Sequence, residues 1–317
     1  MIPVTVVTGA LGSGKTTLIG RTLRDPAFGR TAVIVNEFGA IPLDHDLIAS
    51  ADESVLTLAT GCLCCTVQTD LARTMLDLAA RRDAGELVYD RVLVETSGLA
   101  DPAPLMQALL GDAAIAATHR VPLVVTLVDA VHGEAALDER PEARRQVALA
   151  DRLLISKTDL CPASRMLLDR LAGLNPQAPQ SAAGQLDLFG DPAPIGLATR
   201  LRDLPGPAGH ADLESFVLTL DRPMPALALT LLLQALAEHC GRRLLRLKGL
   251  VAIAEMPGQP AVIHGVRHVV AAPDFLPAWP SEDQTTRIVF IGQGIPRWFP
   301  ARLLAAIEEE VRDAVAA

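Results

Sequence analysis

The stretch Gly9-Ala10-Leu11-Gly12-Ser13-Gly14-Lys15-Thr16-Thr17 constrains this chain more than any other, because an apolar β-branched run, Val4–Thr8, precedes it and an amphipathic segment, Thr16–Leu23, follows. It reads G-x-x-x-x-G-K-[ST] in the strand–loop–helix setting that such a loop requires. Glycines permit a tight turn that aims backbone N–H groups at a phosphate, and the following helix N-terminus adds positive potential. Lys15 is then the side chain for the β- and γ-phosphates, and the Thr16 hydroxyl a ligand for Mg²⁺. The binding set is Gly9, Gly12, Ser13, Gly14, Lys15, Thr16 and Thr17. A glycine-rich turn that binds nothing is the plain alternative, and the flanking strand and helix argue against it.

The region up to about residue 180 continues in the same manner. Strands are expected at Thr31–Val35, Val55–Leu58, Arg91–Val94, Leu123–Val128 and Leu153–Ile155, with helices near Asp70–Arg81, Pro102–Leu110, Glu142–Leu149 and Ser164–Leu171. Alternation of this kind predicts an α/β fold, a mostly parallel sheet with helices on both faces. Residues 181–212, rich in Pro, Gly, Ala and Asp, read as a linker. Residues 213–317 read as a smaller α+β domain, with strands Ser215–Leu220, Leu247–Ala254, Ala261–Val270 and Arg287–Gly292 and helices Ala226–Cys240 and Pro300–Val315.

Two further segments bear on the nucleotide. Strand Arg91–Val94 delivers Glu95, then Thr96, Ser97 and Gly98; Glu95 suits a Mg²⁺ ligand acting through a water, and the Gly98 N–H suits a sensor of the γ-phosphate. The competing role, capping the helix at Pro102, falls better to Asp101. After the sixth strand stands Ser156-Lys157-Thr158-Asp159, where GTPases carry N-K-x-D. A carboxylate accepts both the N1–H and N2–H₂ of guanine, a donor pair that adenine lacks, and the Lys157 stem can lie on the purine face.

The formal charge of −9 disfavours a polyanion, so neither nucleic acid nor an anionic membrane is an expected partner. No secretory pattern opens the chain, and the longest uncharged run, Pro223–Ala237, is short for a membrane span, so a cytoplasmic protein is expected. Of the five cysteines, Cys62, Cys64 and Cys65 crowd into Gly61-Cys-Leu-Cys-Cys. Three thiolates fill all but one corner of a tetrahedral site and favour Zn²⁺, Co²⁺, Fe²⁺ or Cu(I), leaving one position for entry and exit. A disulfide or redox sensor is the rival reading. Cys161 and Cys240 lie on apolar helical patterns and read as buried packing residues, while His132, and His264 with His268 on one strand face, are weaker ligand candidates.

Taken together, Gly9–Thr17, Asn36-Glu37-Phe38-Gly39 with Asp44, the Gly61–Cys65 cluster, Glu95–Pro102 as E-T-S-G-L-A-D-P and Ser156–Asp159 resemble the CobW-like metal-binding P-loop GTPases. That group contains cobalamin-synthesis proteins, nitrile hydratase activators and zinc metallochaperones. Lys248-Gly249-Leu250 and Arg287–Gly292 look like its C-terminal domain. The resemblance implies that the Glu37 loop is a switch and that Cys62, Cys64 and Cys65 bind a transition metal beside it, with Glu37 serving either that metal or Mg²⁺. Two departures stand out: Ser156 replaces the usual Asn, and no second lysine occupies the early loop. No catalytic Gln or arginine finger is identifiable, so slow turnover is expected.

The expected activity is therefore a slow GTPase, using GTP/GDP and Mg²⁺ with Lys15, Glu95 and Gly98 at the reacting phosphate, that delivers Zn²⁺ or Co²⁺ to a client metalloprotein or metal-cofactor enzyme. A second copy of the chain is a further candidate partner. The alternatives are a GTP- and metal-binding regulatory switch that delivers nothing, and an ATP-dependent P-loop kinase with structural cysteines.

Overall fold

A computed structural model describes residues 1–36, 56–59, 67–120, 122–183, 188–189 and 213–316, in two units, Met1–Leu171 with Ala178–Pro192 and Ala172–Gln177 with Ala193–Ala317. In the first unit, β1 (Val4–Gly9) is buried along its whole length, as expected of a strand covered on both faces. Its neighbours are β4 (Arg91–Thr96) and β5 (Leu123–Asp129), both parallel. Beyond β4 lie β2 (Thr31–Asn36) and β3 (Leu56–Ala59), and beyond β5 lie β6 (Arg152–Ser156) and β7 (Gln180–Ala182). The seven-stranded order is β3-β2-β4-β1-β5-β6-β7, with every pairing parallel.

The alternation of side chains divides the core between the two faces. On one, α1 (Lys15–Leu23) packs Leu18, Ile19 and Leu23 against Val7, Leu123, Val125 and Leu127. On the other, Thr126 of β5 donates its hydroxyl hydrogen to the Gln146 carbonyl of α6 (Pro141–Leu149) at 2.8 Å. The remaining α-helices of the described residues that begin in this unit are α2 (Val67–Asp83), α3 (Ala103–Gly111), α4 (Ala113–Thr118), α5 (Gly133–Glu139) and α7 (Arg165–Leu174). The parallel sheet with helices on both faces is the P-loop NTPase fold expected from sequence.

Three expectations are corrected. Regular structure persists past residue 180, where the linker was expected: β7 pairs with β6, Leu188 is fully buried, and its carbonyl accepts from the Thr5 hydroxyl at 3.0 Å. Phe189 stacks on Phe28, and the Arg91 guanidinium lies over both rings. Cys161 is exposed rather than packed, because it stands in the loop before Pro162, ahead of α7. Finally, the strand expected over Ala261–Val270 turns back at Arg267, which adopts φ 55, so His264 and His268 do not share a strand face.

In the second unit the antiparallel order is β11-β10-β9-β13-β8, namely β11 (Val269–Val270), β10 (Ala261–Val266), β9 (Leu244–Val251), β13 (Thr286–Gly292) and β8 (Glu214–Leu220). A short β12 (Asp274–Phe275) pairs with β10. Helix α8 (Ala226–Cys240) buries Leu229, Leu232 and Leu236 against Leu247, Ile263, Ile288 and Phe290, and α9 (Phe299–Ala316) adds Leu304. Cys240 belongs to this core, as its apolar pattern predicts.

Leu188→Ala tests the first correction. A fully buried leucine truncated to alanine loses about 2–5 kcal/mol, against about 0.5 kcal/mol or less for an exposed linker position. Urea unfolding followed by a probe in the first unit should show the larger loss.

Candidate nucleotide site

The C-terminal ends of adjacent parallel strands bring the sequence candidates to one sheet edge, where ligands of open α/β sheets bind. Gly9 closes β1 with φ 142, and a Cβ there would stand 2.4 Å from the Leu127 carbonyl oxygen. Gly12 and Gly14 follow at φ 76 and 91, so the loop needs glycine where the motif has it. The helix starts at once, with Gly14 as N-cap and no side chain over the first amides of α1. Open N–H groups and a helix dipole of this kind suit a phosphate.

Lys15 is buried, and its ammonium donates to the carbonyls of Gly9 at 3.0 Å and Ala10 at 3.3 Å, which bends the side chain back over the loop. Ser13 is fully buried, and among the described residues its hydroxyl meets no hydrogen-bond partner. Thr16 lies in the first turn of α1, and its hydroxyl donates to Glu95 Oε1 at 2.8 Å. Glu95 is 5% exposed, set level with Val7 on β1 and with Val35 on β2. A hydroxyl and a carboxylate converging beside the loop are hard oxygen ligands of the kind Mg²⁺ takes, so Thr16 and Glu95 fit that ion.

Past Glu95, Gly98 rests against the phosphate loop so closely that a Cβ would lie 2.5 Å from both the N and the Cα of Leu11. Asp101 caps the next helix, accepting from the Ala103 N–H at 2.9 Å, as expected.

The segment after β6 shows how the Ser156 departure is accommodated. The Ser156 hydroxyl donates to the Ser13 carbonyl at 2.7 Å, so a bracing bond to the phosphate loop is made by a shorter side chain. Lys157 takes a left-handed conformation, φ 57, and its ammonium meets Asp129 Oδ2 at 2.6 Å, while Asp159 is exposed.

Asp129, the last residue of β5, went unnoticed in the sequence, although a carboxylate ending an otherwise apolar strand beside a phosphate loop was a usable signal. Burial pushes its carboxyl up; the Lys157 ammonium, the Val131 and His132 amides and the His132 ring outweigh that, and the carboxyl stays below its ordinary value. His132 is thereby an Asp129 partner. A cavity of about 510 Å³ opens beside these groups, lined by Ala10, Leu11, Gly12, Asp129, Gln146 and Lys157 among others.

Glu37, Cys62, Cys64 and Cys65 lie outside the described residues. Among the described residues no three Cys, His, Asp or Glu side chains gather as a metal site, and no helix is long and apolar enough to cross a membrane.

Comparison with known proteins extends this picture over the whole chain. Residues 3–182 match the CobW/HypB/UreG nucleotide-binding domain, and residues 213–311 the cobalamin synthesis protein CobW C-terminal domain. The chain is 32% identical to the zinc chaperone YjiA of Escherichia coli, an alignment covering 99% of this chain and 98% of that one. It is 34% identical to the zinc chaperone CobW of Pseudomonas aeruginosa, covering 99% and 92%. The crystal structure of Zn(II)-bound YjiA GTPase from E. coli superposes with a TM-score of 0.71 at 26% identity, covering 96% of this chain and 98% of that one.

Two outcomes follow from the bracing and clamping contacts. Ser156→Ala removes one hydrogen bond, of about 0.5–1.5 kcal/mol, so GDP affinity by calorimetry should fall several-fold without loss of fold. Because the folded carboxyl of Asp129 lies below its ordinary value of 3.8, its contribution is complete above that pH and is lost as pH falls through the folded value. The stability advantage of the wild type over Asp129→Asn should therefore be full at neutral pH and shrink below pH 3.8, as read by denaturant midpoints across pH.

Proposed function

As a member of the CobW/HypB/UreG family, carrying the CobW C-terminal domain as well, this chain is a GTPase, and we propose that nucleotide state governs its binding and delivery of a transition metal. Zinc is the favoured cargo and cobalt the second; the recipient is a client metalloprotein. The observation that carries this reading is the shared sheet edge. The chain leaves β2 at Asn36, one residue before Glu37, and leaves β3 at Ala59, three residues before Cys62, and in the ladder Ala59 is level with Val35 and Val35 with Glu95. Ala59 stands two strands, about 10 Å, from Glu95, and three residues span at most about 11 Å, which brings the thiolate segment within reach of the Glu95 end of the site.

The chemistry assigned to each group follows from its setting. Backbone amides of Gly12–Thr17 and the Lys15 ammonium hold the phosphates; Thr16, and Glu95 through a water, would hold Mg²⁺, which would supply positive charge against the phosphates. Lys15 then exchanges two neutral carbonyl acceptors for charged ones, a stronger bond. Asp159 accepts the guanine N–H donors and Lys157 lies along the base. Gly98 presents its N–H to the γ-phosphate. Cys62, Cys64 and Cys65, with Glu37 as a candidate fourth ligand, take the metal as cargo. Among the described residues neither a catalytic glutamine nor an arginine finger stands at the site, in keeping with the slow intrinsic hydrolysis expected from sequence. The sheet edge is common to both ligands, and coupling between them is reciprocal.

Competition titration of Zn²⁺ and Co²⁺, with Mg²⁺ plus GDP or a nonhydrolysable GTP analogue, tests this. Metal affinity should rise about tenfold or more in the triphosphate state. That binding should vanish when Cys62, Cys64 and Cys65 are replaced by Ser. Equal metal affinity in both nucleotide states would sink the coupling, and retention by the triple variant would remove the thiolates from the site.

A further inference from the structure

Gln146 sits on α6 between Ala143 and Val147, a polar residue at a buried helical position, only 1% exposed. Its side-chain Nε2 donates to two carbonyls of the loop after β4, Gly98 O at 3.3 Å and Ala100 O at 3.0 Å. The main chain of the same residue is anchored by Thr126 of β5, whose hydroxyl donates to the Gln146 carbonyl at 2.8 Å. One residue earlier, Arg145 faces Asp101 at 3.6 Å, a second and weaker tie to the same loop.

We propose that Gln146 is a positioning residue for the nucleotide switch, holding the loop after β4 by the Gly98 and Ala100 carbonyls and so setting where the Gly98 N–H lies and how strongly the site prefers GTP over GDP. Three features make this more than packing. The amide is buried, so breaking its bonds leaves the Gly98 carbonyl without a partner away from water. The bonds hold the Gly98–Leu99 and Ala100–Asp101 peptide planes, and the first of these shares the Gly98 Cα with the Ser97–Gly98 peptide that carries the Gly98 N–H. Gly98 itself has no freedom toward the phosphate loop, since even a methyl group would strike Leu11. Its position is thus set from two sides, by Leu11 on one and by Gln146 on the other. Ser97 closes the turn, its carbonyl accepting from the Ala100 N–H at 3.1 Å.

Gln146 therefore acts through Gly98, its amide being engaged by the loop carbonyls. This rests on the γ-phosphate role given to Gly98 above. Removing the donor frees the loop in both nucleotide states, but only the triphosphate depends on where the Gly98 N–H lies, so the loss falls on GTP.

The test is the ratio of affinities for a nonhydrolysable GTP analogue and GDP, measured by fluorescence titration with Mg²⁺ on the full chain. Gln146→Leu should lower analogue affinity about tenfold, equivalent to about 1.4 kcal/mol, and leave GDP affinity within about twofold; kcat should fall with it. Thr126→Val, which loosens α6 from β5 and keeps the amide, should leave the ratio unchanged. Thermal melts check folding, and Gln146→Met replaces the leucine variant if that chain does not fold. Equal weakening of both nucleotides, or an unchanged ratio, overturns the role of Gln146. A wild type that binds both equally overturns instead the assignment of Gly98 as γ-phosphate sensor.

Discussion

The phosphate loop lies in contact with two backbones that leave no room for a methyl group. Gly9 is pressed against the Leu127 carbonyl of β5, and Gly98, from the loop after β4, against the main chain of Leu11. Both contacts exist because β1 is the strand between β4 and β5. With φ values of 142, 76 and 91 at Gly9, Gly12 and Gly14, the loop adopts a conformation that other residues enter only with strain. The consequence is preorganisation: amides that must face a phosphate are held before it arrives, so little ordering free energy remains to be lost on binding. It also means that the loop after β4 cannot shift toward the phosphate loop without moving it.

The buried charges around this contact show the same economy. Lys15, Glu95 and Asp129 are all buried, and an unpaired charge in such a place costs several kcal/mol. Lys15 is solvated by the loop's own carbonyls, Glu95 accepts from Thr16, and Asp129 is matched by Lys157. Of these the Asp129–Lys157 pair is purely internal and fixes the segment after β6. The other two are made with groups a magnesium–nucleotide complex can replace, the carbonyls by phosphate oxygens and the Thr16 hydroxyl by the cation.

How much of this could be read in advance depended on whether the chemistry is local. The phosphate loop was legible because its requirements are written in consecutive residues, and Glu95 because strand β4 ends just before a glycine-containing loop. Asp101 was correctly read as a cap for the same reason. Gln146 and Asp129 were not read, since their partners are 46 to 48 and 28 residues away, and pairings at that separation need the sheet order. Each still left a trace, a polar residue at an apolar helical position and a carboxylate closing an apolar strand. The β10–β11 turn left less: Arg267 holds the positive φ where glycine or asparagine would have announced a hairpin. Strand β7 is three residues long in a segment rich in Gln, Ser and Pro, too short for a period to show.

The parallel topology explains why one edge gathers so much chemistry. In such a sheet every strand runs the same way, so the loops after β1, β2, β3, β4, β5 and β6 all emerge on one side. Strands about 4.8 Å apart bring loops remote in sequence to neighbouring positions. The loops after β1, β4, β5 and β6 are then in contact or one strand apart, and the departure points toward Glu37 and Cys62 lie on the same side of the sheet, beyond β4. A nucleotide that orders one of these loops necessarily alters the surroundings of the next, because Gly98, Leu11, Ser13 and Ser156 are linked backbone to backbone or through a single hydroxyl. The glycines, Ser156 and Gln146 make this edge rigid, and a displacement transmitted along it is what the coupling proposed above draws on.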